Sequence, residues 1–225
     1  MDYQKHFDAS YEKRNSFWKE IGNLESDVLS HLINPSFMGG PTWPSLRQSF
    51  IKIDTPGSTF LATDGLSDPY SDYDTNEKNQ AYNGLGFELY VETENLENLD
   101  TVKNSWQFDM LYQAGLLAAD NGNLINLFQQ YTYLSTELYN IKVPDNFVNE
   151  DGRVGVLMGL QSDRIPKQIE LSIEPILLVN VKLITPDEVK YITDHGTNGR
   201  NEIVEKIMQQ GNATFSSLDR KSVLL

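Results

Sequence analysis

The chain has 225 residues, 39% of them hydrophobic and 11% aromatic, with no cysteine, three histidines and a formal net charge of −14. That size and apolar content suffice for one sizeable core, and the absence of cysteine removes disulfides, thiolate metal sites and thiol nucleophiles together. No apolar run approaches the roughly 18 residues of a membrane span, and the polar start from Met1 to His6 lacks a signal-peptide core, so a cytoplasmic protein without a membrane partner is expected.

Phe17, Trp18 and Ile21, then Val28, Leu29 and Leu32, recur at helical spacing and predict two short amphipathic helices parted near Gly22 and Asn23, a helical lead-in over residues 1–30. Apolar runs at 50–53 and 58–62 flank Thr55-Pro-Gly-Ser58; proline presets φ and glycine accepts positive φ, so a β-hairpin is predicted. Residues 67–83 are rich in Ser, Asp, Asn and Tyr without a period, and read as a long surface loop before a strand at 87–91. Between Asp54 and Asp100 eleven acidic residues stand against one basic residue, Lys78, a local charge of −10. Such a field disfavours nucleic acid and anionic lipid and would steer a basic protein; the same composition also suits a solvated loop.

Apolar residues fall on nearly every face from Trp106 to Ala119, as in a helix buried on more than one side. Asp120-Asn-Gly122 ends it, and 124–134 resumes an apolar pattern compatible with helix or strand. Strands are predicted at 154–158, around 169–173 and at 176–184. Thr185-Pro-Asp-Glu188 combines a capping threonine, a proline at the first helical position and a glutamate three residues after the cap, so a helix starts there. Gly196 can end it, a second amphipathic helix precedes Gly211, and 212–225 reads as a loose tail. The expected fold is α+β, a single domain over 1–225 with a mixed sheet packed against helices.

The chemistry is sparse. His6, His31 and His195 are scattered, and the spacing of Asp64, Asp68, Asp72 and Asp74 does not match a calcium loop, so neither a metal nor a cofactor is expected. Ser67 follows Gly65-Leu66, yet Pro69 stands where a nucleophile elbow needs glycine, and no catalytic residue is assigned. A small hydrolase-type enzyme between Gly39-Gly40 and the 64–68 turn is one alternative; those two glycines could also expose amides to an anion or simply bend the chain. Trp43 and Arg47 have the side chains of binding hot spots, as do Tyr70 and Tyr73. The candidate partner-binding set is Trp43, Arg47, Asp64, Asp68, Tyr70, Asp72, Tyr73 and Asp74. The competing role is structural, with a buried Trp43 and with Arg47 neutralising Asp64 or Glu88 inside the fold.

Four phrases in order resemble the suppressor-of-fused family: 33–48, running from Ile33 through Met38-Gly-Gly-Pro-Thr-Trp43 to Gln48; Gly65-Leu-Ser-Asp-Pro-Tyr70 with Gly84-Leu-Gly-Phe-Glu-Leu-Tyr-Val-Glu92; Val154 to Leu160; and Leu177 to Glu188. The resemblance covers roughly residues 30–210 and implies an α+β protein-binding domain without enzymatic activity. It resembles the amino-terminal half of the longer animal members. Bacterial proteins of that family are implicated as immunity proteins, which implies a cytoplasmic inhibitor of a cognate, basic toxin domain. The alternative the resemblance implies is a peptide-binding module with an open sheet edge.

Overall fold

The computed structural model describes residues 3–31, 35–45, 47–71 and 81–225. In chain order the elements are α1 (Tyr3–Ile21), β1 (Asn23–Leu24), β2 (Leu29–Ser30), a 3-10 turn at Pro35–Met38, β3 (Ser49–Thr55), β4 (Ser58–Asp64), β5 (Pro69–Ser71), β6 (Ala81–Asn83), β7 (Phe87–Thr93), α2 (Leu99–Lys103), α3 (Trp106–Asp120), α4 (Leu124–Tyr131), β8 (Leu134–Leu138), β9 (Val154–Met158), β10 (Gln168–Glu170), β11 (Pro175–Ile184), α5 (Pro186–Gln209) and β12 (Phe215–Ser216).

One mixed sheet organises them, in the order β1-β3-β4-β7-β11-β9-β8, with β2 on β3, β10 on β11 and β12 on β7; β5 and β6 form a separate hairpin. The β3–β4 hairpin turns at Pro56-Gly57 as expected. The pairings are antiparallel except at β7–β11 and β7–β12, which are parallel. The architecture is a single α+β domain, as the sequence predicts.

Strand alternation sends successive side chains to opposite faces. One face is mainly apolar: Leu61, Phe87, Leu89, Val91, Val179, Val181 and Leu183 meet Met110, Leu111, Ala114 and Ala118 of α3, and at its end Gln107 Nε2 donates to Thr93 Oγ1 at 3.0 Å. The helix caps itself with Ser105, whose hydroxyl accepts from the Phe108 N–H at 3.2 Å. Its Gly115 has a packing reason, since a Cβ there would stand 3.1 Å from the Trp43 ring. On the other face Phe60, Ala62, Tyr90, Ile176 and Leu178 pack under Trp18 of α1, and Leu157 and Ile184 pack under Ile192, Ile203 and Ile207 of α5. The 124–134 run resolves into both options, helix α4 and then the start of β8. In α5 the Glu188 carboxylate accepts from the Thr185 N–H at 2.9 Å, and Gly196, at φ 60 and ψ −138, breaks the rod into two helices.

Two expectations at the ends of the chain are corrected. The helix expected around Val28–Leu32 is absent at its described residues; instead Leu29 and Ser30 pair with Phe50 and Ser49. An apolar pair at that spacing serves a sheet edge as well as a helix once β3 is there to receive it. The loose tail is docked: β7 and β11 diverge after Tyr90 and Asn180, and Phe215 and Ser216 pair with Glu92 and Thr93 inside the fork. Polar side chains hold the paired residues, and Leu218, Val223 and Leu224 pack against the cores farther on without a regular hydrophobic period to announce it.

Lys182, on β11 beside this fork, is 4% exposed and donates to the Phe215 carbonyl at 2.5 Å. Burial pulls its ammonium down from 10.5 to about 7; Arg220 adds to the drop, and Glu188 and Glu92 resist it. Between those two values the unfolded chain holds a proton that the folded chain does not, so stability rises with pH across that window. The expected outcome is a urea midpoint that climbs from pH 7 to pH 9 in the wild type, with the Lys182→Met variant lacking that climb. Parallel curves for the two proteins would refute it.

Candidate functional site

The sequence-predicted residues converge on the turn that leaves β4. Asp64 ends that strand, and Gly65 takes φ 152 so closely against β3's approach that a Cβ would fall 2.1 Å from the Arg47 carbonyl. Only glycine fits there. Leu66 turns into the apolar core, while Ser67 and Asp68 turn to the opposite side; all three are 0% exposed. The long surface loop expected from residue 67 onward is therefore corrected at its start, because the segment is interior and then pairs as β5 with β6.

Glu88 of β7, also buried, builds the turn. Its Oε1 accepts from the N–H groups of Gly65 (3.1 Å) and Ser67 (2.9 Å) and from the Ser67 hydroxyl (2.6 Å), and its Oε2 accepts from Thr63 Oγ1 (2.6 Å). Arg14 reaches down from α1: Nε lies 2.8 Å from Asp64 Oδ1, Nη2 2.5 Å from Asp68 Oδ1 and Nη1 3.2 Å from Ser67 Oγ. Arg47 closes the other side, with Nη1 2.5 Å from Asp64 Oδ2, Nε 2.9 Å from Asp68 Oδ2 and Nη2 2.9 Å from Asp68 Oδ1. Its guanidinium also lies over the rings of Phe7 and Tyr11 of α1, 5.7 and 5.2 Å from their centroids.

Two guanidiniums, Arg14 fully buried and Arg47 24% exposed, thus face three buried carboxylates. Burial works against the Asp64 charge, but Arg14 and Arg47 outweigh it and hold the carboxyl below its ordinary range. Burial pushes Glu88 the other way, above the ordinary carboxylate range; Arg14, at 4.0 Å, pulls it back and the Asp64 charge adds to the rise. Arg14 and Arg47 stay protonated, their pKa values raised by these carboxylates against desolvation.

Of the candidate binding residues, Arg47, Asp64 and Asp68 are brought together in this cluster. Trp43 is placed apart, 1% exposed in the apolar core with its ring 5.6 Å from Phe50. Tyr70 lies half-buried on β5 opposite Tyr82, and Asp72, Tyr73 and Asp74 fall outside the described residues. The acidic stretch is not the continuous exposed field its composition suggests. Asp64, Asp68, Glu88 and Glu92 are buried, and Glu92 pairs with Arg164 at 3.1 Å. Glu94, Glu97 and Asp100 remain exposed.

The arrangement offers little for catalysis. The Ser67 hydroxyl is committed to Glu88, while His195 is exposed on α5 with its ring stacked 4.1 Å from Tyr191. Gly39 and Gly40 spend their N–H groups on Ser36 (3.2 Å) and Pro35 (3.0 Å), which closes the turn rather than presenting an anion cradle. Among the described residues no group of three or more His, Cys, Asp or Glu is placed to hold a metal ion, and no helix is long and apolar enough to cross a membrane.

Two features escaped sequence reasoning. Arg14 occupies the apolar stripe of α1, four residues after Ser10 and four before Trp18, and a charge at such a position was the available signal. Phe37 and Met38, at the crest of the 3-10 turn, are 76% and 83% exposed, and nothing in the sequence separates them from core residues.

No protein-family model matches the sequence, and no curated protein matches it. Solved structures do. The chain superposes on a structure described as the Sufu-Fu complex with a TM-score of 0.57 and 17% identity, covering 97% of this chain and 92% of that one. It superposes on Drosophila Suppressor of Fused with a TM-score of 0.56 and 16% identity, covering 97% of this chain and 51% of that one. The chain therefore has a suppressor-of-fused-like fold, and it spans about half the length of the Drosophila protein.

The cluster predicts an asymmetry between its members. Arg14→Ala leaves Asp64 and Asp68 buried against one remaining arginine and should cost about 3–5 kcal/mol. Glu88→Gln keeps an acceptor for the turn amides and removes a charge that burial disfavours, so it should cost much less. It should also abolish the loss of stability that the raised Glu88 carboxyl imposes as pH climbs above its ordinary value. Urea unfolding of both variants from pH 4 to 8 checks this, and equal losses would refute it.

Proposed function

We propose that this chain is a non-enzymatic protein-binding domain acting in the cytoplasm, and that it serves as an immunity protein by masking a cognate toxin domain. The single observation that carries the binding reading is the Phe37–Met38 crest. Two large apolar side chains, 76% and 83% exposed, stand side by side on a turn closed by its own hydrogen bonds. Exposing them costs solvation free energy that a partner's surface would recover, and a pre-shaped turn loses little conformational freedom on binding. The structural likeness to a protein solved in a complex supports the same class. The immunity role and the basic partner are supported by the family resemblance and by the net charge of −14, which favours encounter with a cation-rich protein.

In this reading the Arg14–Arg47 cluster does not touch the partner; it fixes the root of the β5–β6 hairpin from which Tyr70 and residues 72–74 lead. A second reading, a peptide-binding module with an open sheet edge, is favoured by β8, which ends the strand order with no strand on its outer side among the described residues.

The test is a pull-down with tagged protein from its own cell lysate at low and moderate salt, beside the Phe37→Asp/Met38→Asp variant. The expected outcome is one stoichiometric basic protein, retained by the wild type and bound about 30-fold more weakly by the variant, a loss of about 2 kcal/mol. Retention of the same partner by a folded variant would remove the crest from the interface. A stoichiometric partner without toxic activity would sink the immunity role.

A further inference from the structure

The fork between β7 and β11 is a strand-shaped slot. The two strands pair from Phe87 and Leu177 to Tyr90 and Asn180, then separate, leaving Glu92 and Thr93 on one wall and Lys182 and Leu183 on the other. Residues 214–216 lie between the walls. The Thr214 carbonyl accepts from Asn180 Nδ2 (3.2 Å), the Phe215 carbonyl from Lys182 Nζ (2.5 Å) and the Ser216 carbonyl from Thr93 Oγ1 (3.0 Å). The Thr214 hydroxyl donates to Glu92 Oε2 (2.6 Å), and Ser216 Oγ accepts from the Leu183 N–H (3.1 Å). Farther on, Arg220 clasps Glu188 through both Nη atoms at 2.6 and 2.7 Å, and the Val223 N–H donates to the same carboxylate at 2.9 Å.

Every wall group here is buried with residues 214–216 in place, so emptying the slot would remove at once the partners of an amine, an amide and ladder N–H groups, while Glu92 would keep Ser58 and Arg164. The slot requires a strand. Its resident is held by a two-residue ladder, by polar contacts, by the buried Val223 and by the partly buried Ala213, Leu218 and Leu224, which pack against the neighbouring apolar cores. The segment hinges on Gly211 and Asn212, both exposed and both at positive φ, 76° and 48°. The resident also fits imperfectly. Asn180 Oδ1, in a side chain with 0% exposure, receives no hydrogen bond among the described residues. A buried acceptor left unmet in this way points to an occupant carrying one more donor.

We propose that this fork is a peptide-binding slot, filled at rest by residues 213–217 and able to exchange them for an extended segment of another protein. The recognised chemistry is two hydroxyl-bearing residues at alternate positions of an extended segment, with an arginine four positions after the second for Glu188. Binding is by strand addition within the sheet, and the 218–223 clasp sets how readily the resident leaves. The slot uses neither the Phe37–Met38 crest nor the outer edge of β8, so it stands or falls apart from the proposed function.

The full-length protein tests it in two ways. Hydrogen exchange on the wild type should show the amides of 214–217 and 223 opening ahead of those of β7 and β11. A fluorescein-labelled peptide of residues 210–224 should bind an Arg220→Gln variant, which loosens the resident and keeps Glu188 for the peptide's own arginine, at least tenfold more tightly than the wild type. A peptide carrying Phe215→Pro and Ser216→Pro should bind neither. Strap amides that exchange only with global unfolding, or equal affinity of both peptides for the unclasped variant, would overturn the proposal.

Discussion

The grip of two arginines, each bridging Asp64 and Asp68, is the contact on which the rest of the fold converges. Arg14 ties α1 to the end of β4, Arg47 ties the segment before β3 to the same two carboxylates, and Glu88 ties the intervening turn to β7. Four stretches of chain, distant in sequence, thus share one set of hydrogen bonds. A buried ion cluster adds little net stability over a well-packed apolar core, because desolvation offsets attraction. Its contribution is geometric: a guanidinium fork accepts carboxylates in few orientations, so α1, the turn and the hairpin beyond it have one way to dock.

The two faces of the sheet divide the labour. Beneath α3 the packing is apolar apart from the Gln107–Thr93 hydrogen bond, and tolerance to change there follows volume. The opposite face alternates along its length: the arginine cluster, the Trp18 core, the polar fork around Lys182 and Glu92, then the α5 core. The chain places its buried charge on the face that carries α1 and residues 213–223, the parts that join the sheet through side chains more than through backbone ladders. Trp18, 6.5 Å from Phe60 and 6.4 Å from Tyr90, is the apolar anchor between the two polar zones.

What could be read from sequence was whatever local chemistry decides. The Pro56-Gly57 hairpin, the capping box opening at Thr185, the break at Gly196 and the all-round apolar α3 each follow from residues within a few positions of one another. The errors lie where a distant partner decides. Leu29 became strand because β3 offered it an edge, and 214–216 became strand because β7 and β11 part. The same limit governs the charges: Asp64, Asp68 and Glu88 look like surface acids until Arg14, some 50 residues earlier for Asp64, is placed over them. The pairing of Arg47 with Asp64 was legible as one of two options; the exposure of Phe37 and Met38 was not, since an apolar residue carries no mark of which side of the surface it will occupy.

The parallel β7–β11 ladder also sets the order in which the molecule can assemble. Phe87 and Leu177 meet 90 positions apart in the chain, whereas β3 and β4 are joined by a two-residue turn and β4 reaches β7 through the shorter 65–86 segment that carries β5 and β6. Closing so long a loop before any contact rewards it is slow, and high contact order lowers folding rates by orders of magnitude. The meander of β3, β4 and β7 therefore has time to form while one edge of β7 stays unpaired. During synthesis that edge waits for β11 to emerge, and in that interval the chain is most exposed to wrong pairing with its neighbours.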